Sequence, residues 1–285
     1  MKTRRIGNVD VSAIGLGAMP MSIEGRPDEA RSLATLHAAL DAGVTLIDTA
    51  DAYHLLATDV GHNETLIAKA LASHPRGSEV LVATKGGHLR PGDGSWTVDG
   101  SPAHLRRACE ASLGRLGVEA IGLYQFHRPD PEVPYEESVG ALRDLLDEGK
   151  ILQAGISNAN PEQIRTANAI LGGRLVSVQN QFSPAFRSSE PELELCAELG
   201  IAFLPWSPFG GIRGAGELGS AHAPFARVAA AHGVSPHRVC LAWMLAKSPT
   251  VVPIPGSSRP ETITDSVAAA DLELTPAEMA ELDAA

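Results

Sequence analysis

The residues Val80-Leu81-Val82-Ala83-Thr84-Lys85-Gly86-Gly87 form a short apolar run that ends abruptly in a lysine and two glycines. A continuous apolar run of this length is typical of a strand that is buried on both faces, as in a parallel sheet. Helical patterns lie on either side of it, at Asn63–Ser73 and Pro102–Leu113. Because parallel strands are joined through helices, this stretch predicts an α/β fold built from strand–helix units.

The same unit recurs along the whole chain. Strands are predicted at Ala13–Leu16, Leu46–Asp48, Val80–Thr84, Ile121–Phe126, Leu152–Ile156, Val176–Gln179, Ala202–Pro205 and Val251–Pro253. Helices are predicted at Pro27–Asp41, Asn63–Ser73, Pro102–Leu113, Tyr135–Glu148, Pro161–Ile170, Pro191–Leu199, Phe225–Ala246 in two pieces, and Pro260–Ala269. Eight such units close into a (β/α)8 barrel, the TIM barrel, of about 250 residues. We expect one barrel domain over residues 1–285, with a short N-terminal β-hairpin at Lys2–Val11 that turns at Gly7-Asn8.

A doubly wound sheet is the rival architecture, and it requires a glycine-rich phosphate-binding turn after its first strand. The candidate turn is Gly15-Leu16-Gly17-Ala18, which lacks the third glycine and does not open a helix. A dinucleotide-binding fold of the Rossmann type is therefore disfavoured.

Composition and charge exclude several classes of protein. The 285 residues are 44% hydrophobic and 20% charged, with a formal net charge of −11. Such a chain is neither disordered nor a membrane bundle, and its negative charge makes it a poor partner for nucleic acid or an anionic membrane. The cysteines, Cys109, Cys196 and Cys240, cannot all pair and form no CxxC motif. They predict reduced thiols in a cytoplasmic protein without a cleaved signal, and we expect a monomer or weak homo-oligomer.

Polar residues follow three adjacent predicted strands at the end where barrel enzymes carry their active sites. Asp48 ends the second strand and Tyr53 follows it, Lys85 follows the third strand, and His127 follows the fourth. Each has an ordinary explanation alone: a surface lysine, a satisfied core histidine or a half-buried tyrosine. Three such coincidences at one barrel mouth are improbable, so these residues are the candidate catalytic set.

Asp48-x4-Tyr53, Lys85 and His127 resemble the catalytic Asp, Tyr, Lys and His of the aldo/keto reductase family, and the resemblance covers essentially the whole chain. It is closest to bacterial members with a short C-terminal tail. The supporting segments are Gly15-Leu16-Gly17-Ala18-Met19, Gly61-His62-Asn63-Glu64, Gly155-Ile156-Ser157-Asn158, Trp206-Ser207-Pro208 and Val252-Pro253-Ile254-Pro255-Gly256. The resemblance implies reversible reduction of an aldehyde or ketone to an alcohol with NADPH, and no metal.

The resemblance also implies a role for each of the four residues. Tyr53 would donate the proton, Lys85 would lower the pKa of Tyr53, Asp48 would position Lys85, and His127 would orient the carbonyl. Making a phenol about a hundredfold more acidic needs roughly 2.7 kcal/mol. An ammonium about 4 Å away offers about 4 kcal/mol at an effective dielectric constant near 20, so one lysine suffices.

The resemblance further implies an NADP(H) site, with NAD(H) as the less favoured cofactor. Ser157, Asn158 and Gln179 would bind the carboxamide, Trp206 would stack on the nicotinamide, and the loop before Pro260 would bind the 2′-phosphate. The full expected set is Gly17, Met19, Ser157, Asn158, Gln179, Trp206, Ser207, Pro208, Gly256, Ser257, Ser258, Arg259 and Asp265. Thr262, Asp265 and Ser266 depart from the family pattern after this loop, which leaves the strength of NADP preference open.

A substrate pocket is expected beside the candidate catalytic set. Its predicted residues are Met21, His54, Trp96, Arg128 and Phe209. Trp96 lies on a long loop at His88–Ser101 and is a candidate lid, whereas His54 stands where many relatives have glycine. Because the chain ends soon after Pro276–Leu282, we expect an open pocket and broad tolerance for small carbonyl substrates.

Three other functions remain open at this point. A Schiff-base aldolase would also use a lysine at a strand end, here Lys85. A metal hydrolase would use Asp48, Asp51, His54 and His127, but it lacks a His-x-His pair on the first strand. A non-catalytic NADPH-binding sensor subunit would retain the same four residues.

Overall fold

The computed structural model describes residues 2–285, apart from the side chains of residues 212 and 213. Its strands are β1 (Thr3–Ile6), β2 (Val9–Ser12), β3 (Leu16–Gly17), β4 (Leu46–Asp48), β5 (Leu81–Gly86), β6 (His88–Leu89), β7 (Thr97–Val98), β8 (Leu123–Phe126), β9 (Ala154–Ser157), β10 (Leu175–Gln179) and β11 (Ala202–Phe203). Its α-helices are α1 (Glu29–Asp41), α2 (His62–Ala72), α3 (Pro102–Leu116), α4 (Tyr135–Asp147), α5 (Pro161–Ile170), α6 (Glu190–Leu199), α7 (Gly211–Gly214), α8 (Leu218–Ala221), α9 (Ala223–His232), α10 (Pro236–Lys247), α11 (Pro260–Val267) and α12 (Pro276–Asp283).

The central sheet is parallel, and its strand order is β11-β10-β9-β8-β5-β4-β3. A helix follows each strand and packs outside it, because an apolar strand buried on both faces needs a covering layer. The predicted barrel architecture is confirmed. Several predicted strands begin two or three residues later than expected; Ala13–Leu16, for example, is replaced by β3.

The segment from Val251 to Gly256 closes the sheet between β11 and β3. The amide of Val252 donates to the Phe203 carbonyl at 2.8 Å, and the Pro253 carbonyl accepts from Gly15 at 2.9 Å. Pro253 and Pro255 have no N–H to donate, so this segment makes isolated bridges rather than a continuous ladder. The predicted strand Val251–Pro253 is therefore wrong in its extent, although the segment occupies the eighth position of the barrel.

The N-terminal hairpin is confirmed. β1 and β2 pair antiparallel with Ile6 opposite Val9, and Gly7 between them has a φ of 56° that favours glycine. Ile6 and Val11 are fully buried and pack with Leu46, Leu81 and Leu123 from the barrel strands. The hairpin thus closes the N-terminal end of the barrel and leaves the opposite end for chemistry.

Helix starts follow the sequence signals. The Ser101 side chain accepts from the His104 amide at the start of α3, and Asn160 forms a capping box with Gln163 at the start of α5. The helical region Phe225–Ala246 is split as predicted, into α9 and α10. Within residues 2–285, no helix is long and apolar enough to cross a membrane.

The segment His88–Ser101 is more ordered than a loop. β6 and β7 form an antiparallel ribbon in which His88 pairs with Val98 and Leu89 with Thr97. Strands of two residues carry no alternating pattern, which explains why the sequence did not reveal them. Because β6 follows β5 directly, the ribbon stands at the C-terminal end of the barrel and carries His88 and Trp96 to its mouth.

Candidate active site

The pairing of adjacent parallel strands brings the four candidate catalytic residues together. Asp48 lies opposite Ala83 at the end of β4, and Lys85 lies opposite Gln125 near the end of β5. His127 follows β8, and Tyr53 lies in the turn after β4. Since all these strands run in the same direction, the four side chains meet at the C-terminal mouth, as the sequence predicts.

Lys85 is at the centre of this group and is fully buried. Its Nζ donates to Asp48 Oδ1 at 2.6 Å, to the Thr49 carbonyl at 2.8 Å and to the Tyr53 hydroxyl oxygen at 3.2 Å. All three donors of the ammonium are therefore used. Burial lowers the pKa of Lys85, but Asp48 and Tyr53 together outweigh burial, so the pKa of Lys85 is raised above its usual value. The lysine is a charged group in a fixed position.

Asp48 is held from both sides. Its Oδ1 accepts from Lys85, and its Oδ2 accepts from the side-chain amides of Gln179 at 2.7 Å and Gln125 at 3.4 Å. Burial raises the pKa of Asp48, and the ammonium and both amides oppose that rise. Gln125 is a positioning residue that sequence reasoning missed, because its place on β8 resembles that of any buried strand residue.

Tyr53 is 7% exposed and presents its hydroxyl to Lys85. Burial raises the pKa of Tyr53, Lys85 opposes that rise, and the Asp48 carboxylate reinforces it. The expected net lowering of the Tyr53 pKa is therefore not found, because the lysine is shared with a carboxylate and the phenol is desolvated. The phenol is protonated at neutral pH, which is the state that a proton donor requires.

His127 lies edge-on to Tyr53, with the ring centroids 5.8 Å apart. Burial lowers the pKa of His127 well below its usual range, and the positive charge of Lys85 adds to this effect. The imidazole is therefore neutral near pH 7. Its Nδ1 is buried and has no hydrogen-bond partner among residues 2–285. A neutral imidazole beside the phenol can donate one hydrogen bond to a carbonyl oxygen.

These residues open onto a cavity of about 450 Å³. The structure brings most of the sequence-predicted cofactor and substrate residues to its wall. They are Gly17, Met19, Trp96, Arg128, Ser157, Asn158, Gln179, Trp206, Ser207, Pro208, Phe209 and Gly256, together with Asp48, Tyr53 and His127. Asn158 and Ser207 have φ values of 57° and 50°, a strained conformation for residues other than glycine. Backbone strain of this kind is common where side chains are held for binding.

Two predicted substrate residues do not face the cavity. Met21 is fully buried and packs with the apolar side chains of α1 and α2. His54 is 1% exposed; its Nδ1 is 2.8 Å from the Leu56 carbonyl, and its own carbonyl accepts from Arg90. Both predictions are corrected, since packing and a local hydrogen bond turn these side chains away from the mouth.

The predicted phosphate-binding residues lie beyond the cavity wall, in the turn that leads to α11. Ser257 Oγ is 3.0 Å from the Arg259 carbonyl, and the side chain of Arg259 is half exposed. Asp265 accepts from Ser235 and, at 2.6 Å, from Arg238, so both of its carboxylate oxygens already have partners within the protein. Arg31 was not predicted here; its Nε donates to the Ser258 carbonyl at 3.1 Å from a distant part of the sequence.

The β6–β7 ribbon adds further cavity residues that the sequence did not reveal. The ring of His88 lies 4.8 Å from the ring of His127 and 4.7 Å from the ring of Trp96. The Arg90 guanidinium lies 5.0 Å from the Trp96 ring and forms an ion pair with Glu24. Trp96 is therefore held over the mouth by its neighbours, in agreement with its expected place on a covering loop.

A sequence model described as the aldo/keto reductase family matches residues 13–285. An uncharacterised oxidoreductase of Schizosaccharomyces pombe is 34% identical over 285 residues, which cover 99% of this chain and 89% of the relative. Solved structures agree over the same length. The glycerol dehydrogenase of Gluconobacter oxydans has a TM-score of 0.84 at 28% identity, covering 99% of this chain and 94% of that one. An aldo/keto reductase from Klebsiella pneumoniae, in complex with NADP and acetate, has a TM-score of 0.82 at 30% identity with coverage of 99% and 94%.

Proposed function

The chain belongs to the aldo/keto reductase family of oxidoreductases, and we propose that it reduces a small aldehyde or ketone to the alcohol, reversibly, with NADPH. The observation that carries this proposal is the Tyr53 hydroxyl, which accepts from a buried ammonium at 3.2 Å at the wall of the cavity. A protonated phenol held in this way is a proton donor for a carbonyl oxygen that becomes an alkoxide.

The residues around the cavity fit a nicotinamide cofactor. Trp206 Nε1 is buried without a partner among the described residues, and the amides of Asn158 and Gln179 lie on the same wall. A Cβ added at Gly17 would lie 2.8 Å from the Ile254 carbonyl, so no side chain fits there. The backbone of Gly17 itself therefore forms this part of the cavity wall. Ser157, Asn158, Gln179 and Trp206 would hold the nicotinamide end. NADPH, when bound, supplies the hydride.

We propose the phosphate end of the site at the turn before α11. Arg31 donates to the Ser258 carbonyl, and Arg259, the residue before α11, has a half-exposed side chain 3.7 Å from Glu261. Cations beside a helix N-terminus favour a phosphate, which supports NADPH over NADH. Asp265 contributes no such interaction, because Arg238 already binds it.

Within this chain, Tyr53 holds the proton at its hydroxyl oxygen and gives it to the carbonyl oxygen of the substrate. Lys85 stabilises the phenolate that remains, and Asp48 with its two glutamine partners fixes the position of Lys85. His127 orients the carbonyl by donating a hydrogen bond. Alcohol oxidation would use the same groups in reverse.

Two alternative functions are disfavoured, one by the contacts of Lys85 and the other by the placement of possible metal ligands. A Schiff-base aldolase needs an uncharged amine, whereas all three Lys85 donors are engaged and its pKa is raised. For a metal hydrolase, no group of three or more His, Cys, Asp or Glu side chains within residues 2–285 is placed to hold an ion. A sensor subunit would have the same site, so only the absence of turnover distinguishes it from the enzyme.

Cellular setting and assembly are also proposals. The three cysteines are free and buried, which supports a reducing, cytoplasmic location. We propose a single barrel domain that acts as a monomer or weak homo-oligomer on small carbonyl compounds.

The test is consumption of NADPH, followed by its absorbance, across a panel of aldehydes and ketones, with identification of the alcohol product. NADH in place of NADPH measures cofactor preference. Borohydride treatment with each carbonyl compound, followed by mass spectrometry, tests for the aldolase, and we expect no labelling of Lys85. Tight NADPH binding without turnover on any compound would overturn the proposal in favour of the sensor.

A further inference from the structure

Arg128 is a charged residue on the cavity wall that has no oppositely charged partner among the described residues. The charged side chains on the wall are Glu24, Asp48 and Arg128. Glu24 pairs with Arg90, and Asp48 pairs with Lys85 at 2.6 Å. Within residues 2–285 no carboxylate lies within ion-pair distance of Arg128, and no side chain or carbonyl accepts a hydrogen bond from it. Among the described side chains, the cavity wall therefore has one unpaired positive charge, in a protein whose net charge is −11.

The histidines on the same wall add no charge. Burial lowers the pKa of His88 to about 4, and the neighbouring Arg128 and Lys85 contribute to this shift. Arg128 also helps to lower the pKa of His127. Arg128 thus lies close to both imidazoles, and a guanidinium in this place offers donors in a fork that matches a carboxylate.

Arg128 lies on the side of the cavity that β8 and the β6–β7 ribbon form. It follows His127 directly after β8 and shares the cavity wall with His88 of the ribbon, whereas Gln179 on β10 and Trp206 after β11 come from further round the barrel. The nearby Trp96 ring packs against His88 and offers a flat apolar surface. An apolar body with an anionic end is the ligand chemistry that matches this side of the cavity.

We propose that the substrate is a small aldehyde or ketone that carries a carboxylate, and that Arg128 binds this carboxylate while Tyr53 and His127 engage the carbonyl. This inference rests on the proposed function. Arg128 takes no part in hydride or proton transfer; it determines specificity. A partly buried hydrogen bond between Arg128 and a carboxylate is strong enough to raise kcat/KM by about tenfold to a hundredfold.

The test compares para-carboxybenzaldehyde with its methyl ester, a matched pair that differs chiefly in charge. We expect wild-type kcat/KM to be about tenfold or more higher for the acid. Arg128→Gln should remove most of this preference, and Arg128→Lys should restore part of it. The acid preference should also fall as salt is raised, because salt screens an ion pair that is only partly buried. Arg165→Gln is the control, since Arg165 is exposed on α5 outside the cavity and its loss should leave the preference intact.

The possible outcomes separate this inference from the proposed function. Reduction of the ester as fast as the acid by the wild type would overturn the inference and leave the reductase intact. An equal loss on both compounds in Arg128→Gln, or a higher KM for NADPH with an unchanged acid-to-ester ratio, would likewise overturn it. Reduction of neither compound, nor of any carbonyl in the panel, would overturn the proposed function and this inference with it.

Discussion

Replacing Lys85 by methionine removes the ammonium and keeps a stem of similar length in a fully buried position. In the wild type, an ammonium 3.2 Å from the phenol oxygen stabilises a phenolate by about 5 kcal/mol at an effective dielectric constant near 20. Asp48 Oδ1 and the phenol oxygen both contact Nζ, so they are no more than about 6 Å apart. Their repulsion is then at least about 3 kcal/mol, so the net stabilisation of the phenolate is at most about 2 kcal/mol.

In Lys85→Met, the Asp48 carboxyl loses its counter-ion and is protonated, since burial already raises its pKa. The attraction of the phenolate to Lys85 and its repulsion by Asp48 both disappear. The net loss of up to about 2 kcal/mol corresponds to a fall in kcat of up to about 30-fold. The lost hydrogen bond to Tyr53 increases the loss further. The basic limb of the kcat profile should also move to higher pH, because the pKa of Tyr53 rises without the ammonium.

The assay is the pH dependence of kcat for carbonyl reduction at saturating NADPH, with thermal unfolding to confirm a folded variant. Lys69→Met is the control, because Lys69 is an exposed lysine on α2, and it should behave as the wild type. A folded Lys85→Met protein with a kcat within threefold of the wild type (that is, less than about 0.7 kcal/mol) would refute this reasoning.

Two further predictions concern stability. Burial raises the pKa of Asp51 to about 8, with Glu64 adding to the effect, so the folded state binds the proton more tightly than the unfolded chain. Wild-type stability should therefore fall as the pH rises from about 4 toward 8, and Asp51→Asn should flatten this fall in urea unfolding curves. Gly17→Ala places a Cβ 2.8 Å from the Ile254 carbonyl and should cost about 1–3 kcal/mol in the same assay, whereas Gly114→Ala, in open space on α3, should be neutral or stabilising.

The fold, and the meeting of the four candidate catalytic residues at one barrel mouth, were predictable because they depend on local patterns. Apolar runs such as Val80–Thr84 and helix starts such as Asn160-Pro161 carry their signals in adjacent residues. Asp48 and Lys85 stand at strand ends, and parallel pairing alone brings strand ends together. The family resemblance then assigned the roles that spacing could not.

Features that depend on tertiary contacts were not predictable. Met21 and His54 lie next to cavity residues in sequence, yet core packing and the Leu56 carbonyl turn their side chains away. The pKa of Tyr53 depends on its burial and on a carboxylate that shares its lysine, whereas the expected lowering rested on the charge of Lys85 alone. Arg31 donates a hydrogen bond to Ser258, which is 227 residues away in the sequence, and no local pattern predicts that contact.

Removing the hydroxyl of Tyr53 tests the proposed proton donor directly. Tyr53→Phe keeps the ring that packs against His127 and removes only the oxygen that Lys85 contacts. Turnover on the best carbonyl compound should fall by at least about a hundredfold, while the Kd for NADPH, measured by fluorescence, stays close to the wild-type value. A Tyr53→Phe variant that binds NADPH and reduces the carbonyl at the wild-type rate would contradict the account.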